Sequence, residues 1–202
     1  MMEQVTNILA AYGKARQRDR RKNRGWYVRA HRWSKQVSND TGYHLDVVVG
    51  VLAALSPGVQ WKVNKNDAIA VLTGDVLHAF ATYPVNVSKA QDILGASREV
   101  EVLARLKPRP QSGMKVYAFY HNIRYPLTVG KVTIDRHAIS VALGRPLTKA
   151  EGSLTPLQYA HYEYVYAYAA NIVGLKPQQL QAIVWEWWRS TGKQVSEAGH
   201  EY

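Results

Sequence analysis

The chain has 202 residues, of which 47% are hydrophobic, so it can bury a core as one large domain or as two small lobes. It contains no cysteine, which excludes disulfides, a thiolate nucleophile and any cysteine-ligated zinc or iron–sulfur site. Its formal net charge of +11 is concentrated between Lys14 and Lys35, where ten basic residues face a single acid, and this block predicts a polyanionic partner.

Helical spacing of apolar residues, with glycine and proline stop signals, dominates the chain. In chain order it predicts helices at 5–12, 26–39, 45–55, 61–72, 88–94, 114–123, 134–143, 155–173 and 176–187, with a loop at 107–113. The predicted fold class is all-α, with nine or ten helices in two lobes and a groove between them.

Two further features concern location. No apolar run is long enough to cross a bilayer, and the N-terminus lacks the basic and apolar regions of a secretory signal. A cytoplasmic location without membrane contact is therefore expected.

The basic block favours nucleic acid over a membrane surface as partner. Trp26, Tyr27 and Trp33 interleave with its charges, and aromatic faces can stack on bases. The alternative is a solvated linker between two helices. The side chains predicted to hold a DNA backbone are Arg18, Arg20, Arg21, Lys22 and Arg24.

Asp135 stands at the predicted start of an apolar helix, and Lys115 lies twenty positions upstream. A carboxylate near a sugar C1′ can stabilise an oxocarbenium-like cation, and a neutral amine can attack C1′ to give a Schiff base. Each residue also has an ordinary interpretation: Asp135 as a helix cap, and Lys115 as a phosphate contact or a solvated lysine. Together the two residues indicate chemistry at a sugar C1′ in DNA.

The segments around these two residues carry a resemblance to a known family. The runs Gly113-Met-Lys115-Val-Tyr-Ala and Val132-Thr-Ile-Asp135-Arg-His137-Ala-Ile-Ser-Val-Ala-Leu-Gly144 are similar to the core of the helix-hairpin-helix DNA glycosylases. The resemblance implies that Asp135 is catalytic, that Lys115 is the lysine of a combined glycosylase and lyase, and that His137 is more structural than catalytic.

Upstream, the run Leu52-Ala-Ala-Leu-Ser-Pro-Gly-Val-Gln60-Trp61 stands where that family inserts a polar side chain behind a flipped base. The resemblance places Gln60, Trp61 and Asn64 at a base pocket or wedge, and Tyr120 and His137 are predicted to belong to the same pocket. The alternative is a helix-ending Ser-Pro turn with Trp61 in the core.

The hairpin departs from the family pattern. Its first glycine is missing, and Arg109, Ser112 and Gly113 are expected to supply the phosphate contact instead. The family's cluster-binding cysteines are also absent. The run Phe119-Tyr-His-Asn-Ile123, together with the other motifs, resembles a bacteriophage-encoded branch of the fold, which implies a phage origin in a bacterial host cell.

The resemblance also divides the chain. It implies one glycosylase-like domain over 1–202, with a core at 45–147, a second lobe completed by helices in 1–44 and 148–192, and a loose tail at 193–202. His121, His137 and His161 show no ligand spacing, so neither a metal nor any other cofactor is expected.

Three functions remain open from the sequence. The first is an enzyme that flips a modified base out of double-stranded DNA and excises it by cleaving the N-glycosidic bond. The second is a phage enzyme that modifies hydroxymethyluracil or another altered thymine in the same pocket. The third is a DNA-binding protein without catalysis.

Tyr159, Tyr162 and Tyr166 share one helix face, and such a stripe is more often core than a base platform.

Overall fold

The computed structural model describes residues 1–106, 114–147 and 150–191, and within these ranges the fold is all-α with no β-strand. A short 3₁₀ helix occupies Ala150–Gly152. The α-helices in these ranges are α1 (Met2–Lys14), α2 (Gln17–Arg24), α3 (Trp26–Thr41), α4 (Leu45–Leu55), α5 (Trp61–Thr73), α6 (Pro84–Ile93), α7 (Glu99–Leu106), α8 (Met114–Arg124), α9 (Arg136–Leu143), α10 (Pro156–Ile172) and α11 (Pro177–Ser190).

The helices fall into two compact units. Unit 1 comprises Met1–Val28 and the described residues from Leu127 onward, and unit 2 comprises Arg29–Pro126. These bounds differ from the division at 45–147 that the resemblance implied, because the segment around Asp135 is hydrogen-bonded to α10 and α11 of unit 1. Lys115 belongs to unit 2. The predicted tail at 193–202 lies outside the described residues.

The core of unit 1 contains apolar and tyrosine faces of its helices. Val5, Ile8 and Ala11 recur at three-residue intervals on α1 and are all buried. On α10, the predicted core face is confirmed, since Tyr159, Tyr162 and Tyr166 are at most 9% exposed. Thr155 and Gln158 form a capping box at the start of that helix.

The core of unit 2 is organised around α4. Every residue of this helix after Leu45 is buried, as expected for a helix that is apolar on all sides. Its mid-helix glycine is required by close packing, because a Cβ on Gly50 would lie 2.5 Å from Val102 Cγ1 of α7. The bounds of α4 are those predicted.

Two helices were not predicted, and a third begins four residues before its predicted start. The basic run forms α2, a helix without any apolar residue, for which the apolar pattern gave no signal. Helix α7 is a further helix that was not predicted from the sequence. Helix α6 begins at Pro84 rather than at residue 88, since proline at the first helical position is preorganised for the helix. In the part of the chain that the structure describes, no helix meets the length and hydropathy needed to span a membrane.

Candidate functional site

Asp135 caps α9 and is held by two neutral donors. Its Oδ1 accepts the backbone N–H of Ala138 at 2.9 Å, as expected for an N-cap aspartate. Its Oδ2 accepts the indole N–H of Trp185 on α11 at 3.1 Å. The side chain is half-buried, and no Lys or Arg of the described residues forms an ion pair with it. The carboxylate is therefore fixed in direction, but its charge is not neutralised by a cation there.

Tyrosine hydroxyls form hydrogen bonds with the three residues that precede Asp135. Tyr159 Oη accepts the N–H of Ile134 at 3.1 Å and donates to the carbonyl of Val132 at 2.9 Å. Tyr27 Oη lies 2.9 Å from Thr133 Oγ1 and 3.0 Å from Gln181 Oε1. A phenol can donate once and accept as well, so both contacts can be hydrogen bonds. The backbone that carries Asp135 is thus fixed from α3, α10 and α11.

Helix α9 is anchored by two further side chains. Tyr166, which is fully buried, donates to the carbonyl of Ala138 at 2.9 Å, and Asn7 of α1 donates to the carbonyl of Ala142 at 3.0 Å. Burial raises the pKa of Tyr159 and Tyr166, so both hydroxyls keep their protons and remain donors at neutral pH.

Aromatic rings surround the indole that binds Asp135. The Trp185 ring centroid lies 6.2 Å from that of Trp26 and 6.3 Å from that of His137, both at edge-to-face angles. The Arg189 guanidinium lies 4.7 Å from the Trp185 ring centroid. Trp26, His137 and Trp185 are each half-buried. Sequence reasoning included His137 but not Trp185, because fifty positions separate Trp185 from Asp135.

The other predicted pocket residues belong to unit 2. Lys115 is half-buried in the first turn of α8. Gln60 is the exposed N-cap of α5, and Trp61 packs edge-to-face on Trp33 with ring centroids 5.9 Å apart. Asn64 is only 2% exposed, and its Oδ1 has no hydrogen-bond partner among the described atoms.

Tyr120 does not fit its predicted place in a base pocket. It is 1% exposed, and its hydroxyl donates to the buried carboxylate of Asp46 at 3.0 Å. Arg124 also contacts Asp46, and Tyr125 donates to the neighbouring Glu99 at 2.7 Å. Burial, with the carboxylates of Asp46 and Glu99, raises the pKa of Tyr120. Tyr120 is a buried member of a polar network of unit 2 and is not open to a ligand.

The predicted DNA-contacting residues of α2 are not equivalent. Arg20 donates through Nε to the carbonyl of Ala15 at 2.8 Å and through Nη2 to that of Gly13 at 2.7 Å, so it satisfies carbonyls at the end of α1. Arg18, Arg21, Lys22 and Arg24 are exposed. Arg109, Ser112 and Gly113 lie outside the described residues.

A family model matches residues 1–192 of the chain, and its description is a family of unknown function, DUF7178. The chain belongs to the DUF7178 family. No match was found among the curated proteins or among the solved structures.

Within the described ranges, no group of three or more His, Cys, Asp or Glu side chains is arranged to hold a metal ion. The chemistry that the site can supply is that of an oriented carboxylate beside three aromatic rings.

Proposed function

We propose that this DUF7178 protein is a DNA-acting enzyme that flips a modified base out of double-stranded DNA and excises it by cleaving its N-glycosidic bond. The observation that carries the proposal is Asp135, a half-buried carboxylate that two neutral N–H groups hold in one direction without a cationic partner among the described residues. A charge kept in this way is available to a cation that develops on the substrate.

The size of the effect is adequate for catalysis. A carboxylate about 4 Å from a developing oxocarbenium ion contributes about 4 kcal/mol at an effective dielectric of about 20. That energy corresponds to about a thousandfold in rate. Asp135 would also orient or deprotonate the attacking water.

The aromatic rings near Asp135 suit a flipped base. In the proposal, the base stacks against Trp185 or Trp26, with His137 at its edge, and each stacking contact contributes about 1–3 kcal/mol. This assignment replaces Tyr120, which is buried, by residues that lie in the same unit as Asp135. The exposed cations of α2, in that unit too, would contact the DNA backbone.

Lys115 is assigned a role that can be tested without reference to Asp135. In the lyase form of the reaction its amine attacks C1′ and forms a Schiff base, which borohydride reduces to a stable link. Covalent capture of DNA that disappears in Lys115→Gln would support this role. Excision without any capture would instead make the enzyme monofunctional.

The test of excision uses duplexes that each carry one modified base, hydroxymethyluracil among them. Wild-type protein is expected to release a free base and leave an abasic site, and mass spectrometry of the products separates excision from modification. Asp135→Asn should lower the rate of release by about a hundredfold or more, since asparagine keeps the cap but not the charge. The matched control is Asp40→Asn, which removes an exposed carboxylate whose hydrogen bond is to Gln36.

A second candidate function is DNA binding without catalysis. It is favoured by the contact of Asp135 with Ala138, which is that of a structural cap. Under this alternative Asp135→Ser, which retains a good capping residue, leaves all activity of the protein intact. The excision proposal would be wrong if no duplex released a base and Asp135→Ser bound DNA as wild type does. That result would favour binding alone.

A further inference from the structure

Unit 1 contains a cavity of about 210 Å³ beside the basic helix α2. Three arginines line it on one side, and its other walls include an aromatic ring and two aliphatic side chains. These lining residues are Tyr12, Arg20, Arg21, Arg24, Leu175 and Ile183. Asp135 is not among them.

The placement of the arginines is unusual for a helix that packs on a core. Arg20, Arg21 and Arg24 stand at positions i, i+1 and i+4 and so share one side of α2. A helix normally turns apolar residues toward the protein, but α2 has none, and its one buried residue is Asn23. The charged side of α2 thus borders a concavity whose wall includes the buried Ile183.

Arg20 gives the cavity a fixed positive charge. Its bonds to the carbonyls of Gly13 and Ala15 hold the guanidinium in place, and its Cζ lies 4.3 Å from the ring centroid of Tyr12. A guanidinium has five N–H donors, and these two bonds leave others for a ligand. The conformational entropy of the Arg20 side chain is therefore already lost in the folded protein, so ligand binding does not have to order it.

No described residue compensates the charge of the other two arginines. Arg21 and Arg24 are exposed, and neither forms an ion pair with a described residue. Among the described residues no carboxylate lines the cavity, and Asp19, the acid of α2, lies 4.0 Å from Arg18 Nε instead. Three like charges around one cavity repel each other, and a bound anion would relieve that repulsion.

We propose that this cavity is a phosphate-binding site. Guanidinium groups match the oxygen geometry of phosphate with paired hydrogen bonds, and this site offers one arginine held by the protein and two exposed arginines. The phosphate can belong to a nucleic-acid backbone or to a free phosphomonoester such as a nucleotide. Arg21 and Arg24 are among the α2 cations proposed above to contact DNA, but phosphate binding here does not require base excision, because no cavity residue contacts Asp135.

The experiment is a titration of the full-length protein with inorganic phosphate, followed by NMR of the arginine Nε–H signals. Arg21→Gln/Arg24→Gln removes two cavity charges, and Lys14→Gln/Arg16→Gln removes two exposed charges close by in sequence that do not line the cavity. We expect saturable shifts of the Arg20, Arg21 and Arg24 signals in wild type. The dissociation constant should rise more than about tenfold in the cavity variant and change less than about twofold in the control.

Competition identifies the source of the phosphate. Displacement by a short duplex assigns the site to a nucleic-acid backbone, and the cavity variant should then lower the salt slope of DNA binding by about two. Displacement by a nucleoside monophosphate but not by the duplex assigns it to a free phosphomonoester. Asp135→Asn should bind phosphate as wild type does, which separates this site from the excision proposal. Absence of saturation, or equal loss in the two double variants, would overturn the proposal.

Discussion

Asp46 in unit 2 and Asp135 in unit 1 each stand in the first turn or at the cap of a helix, and tyrosine hydroxyls are prominent around both. Their environments differ in burial and in charge. Asp46 is 4% exposed and is bonded by Arg124 and Tyr120. Asp135 is half-buried and accepts only neutral N–H groups from the described residues, while the nearby tyrosines bind the backbone beside it.

The contrast separates two uses of a carboxylate. A buried carboxylate that an arginine neutralises is needed for stability, because removing either partner leaves an uncompensated charge. A carboxylate held by neutral donors keeps its charge for another group. Tyrosines complete the ion network of unit 2, whereas in unit 1 they fix the position of the backbone that carries Asp135.

The largest expected effect is on unit 2. Asp46→Ala should lower the free energy of unfolding by about 3–5 kcal/mol, since Arg124 would lose the carboxylate that compensates its charge. Denaturant unfolding measures the loss. Asp92→Ala is the control, because Asp92 pairs with Arg105 at an exposed position and its loss should cost about 1 kcal/mol or less. Equal costs for the two variants would contradict the structural role of Asp46.

The next largest effect tests the hydrogen bonds that hold the backbone before Asp135. Tyr159→Phe leaves the buried N–H of Ile134 and the carbonyl of Val132 without their partner, and should cost about 2–3 kcal/mol. Thermal unfolding and base release would both be measured, and both should decline. Tyr164→Phe on the same helix is the control, because Tyr164 is 57% exposed and its change should stay within about 0.5 kcal/mol.

The buried tyrosines also predict sensitivity to alkali. Burial raises the pKa of Tyr166 and Tyr159 in the folded protein, so their contribution to stability is complete below the unfolded pKa of about 10. It is lost as pH rises above that value, by about 1.4 kcal/mol per pH unit for each tyrosine. The free energy of unfolding, measured from pH 9 to pH 12, should fall with this slope. Tyr166→Phe should make the slope shallower by about 1.4 kcal/mol per pH unit. An unchanged slope in that variant would refute the assignment.

The smallest expected change in stability concerns Trp185. Trp185→Phe removes the N–H that binds Asp135 and should cost about 1 kcal/mol, because the carboxylate is half-exposed and water can replace the donor. If the indole orients Asp135 for catalysis, base release should fall by more than this loss of stability explains. Trp187→Phe, on the same helix, is the control; an equal fall in that variant would argue against a role for the Asp135 contact.

The sequence was informative where the signal is local. The predicted bounds of α4 are those observed, and the Asp135 cap and the Gly144 stop of α9 follow from residues within one helix. Helix α2 could not be predicted from apolar periodicity, since it has no apolar residue. The roles of Arg20 and of Trp185 depend on contacts that only the folded chain creates.

The burial of Tyr120 illustrates the same limit within the candidate site. A tyrosine in an aromatic run can line a pocket or bind a buried carboxylate, and the choice depends on Asp46, which is distant in sequence. By contrast, the core face of α10 was predictable because Tyr159, Tyr162 and Tyr166 repeat with the helical period.

The central claim, that the charge of Asp135 drives base release, is tested most directly by single-turnover excision rates of Asp135→Asn with and without Trp185→Phe. The second substitution removes any clash between the asparagine N–H₂ and the indole N–H. The account predicts a rate about a hundredfold or more below wild type for Asp135→Asn, and no recovery in the double variant. Release at the wild-type rate by Asp135→Asn, or recovery in the double variant, would contradict it.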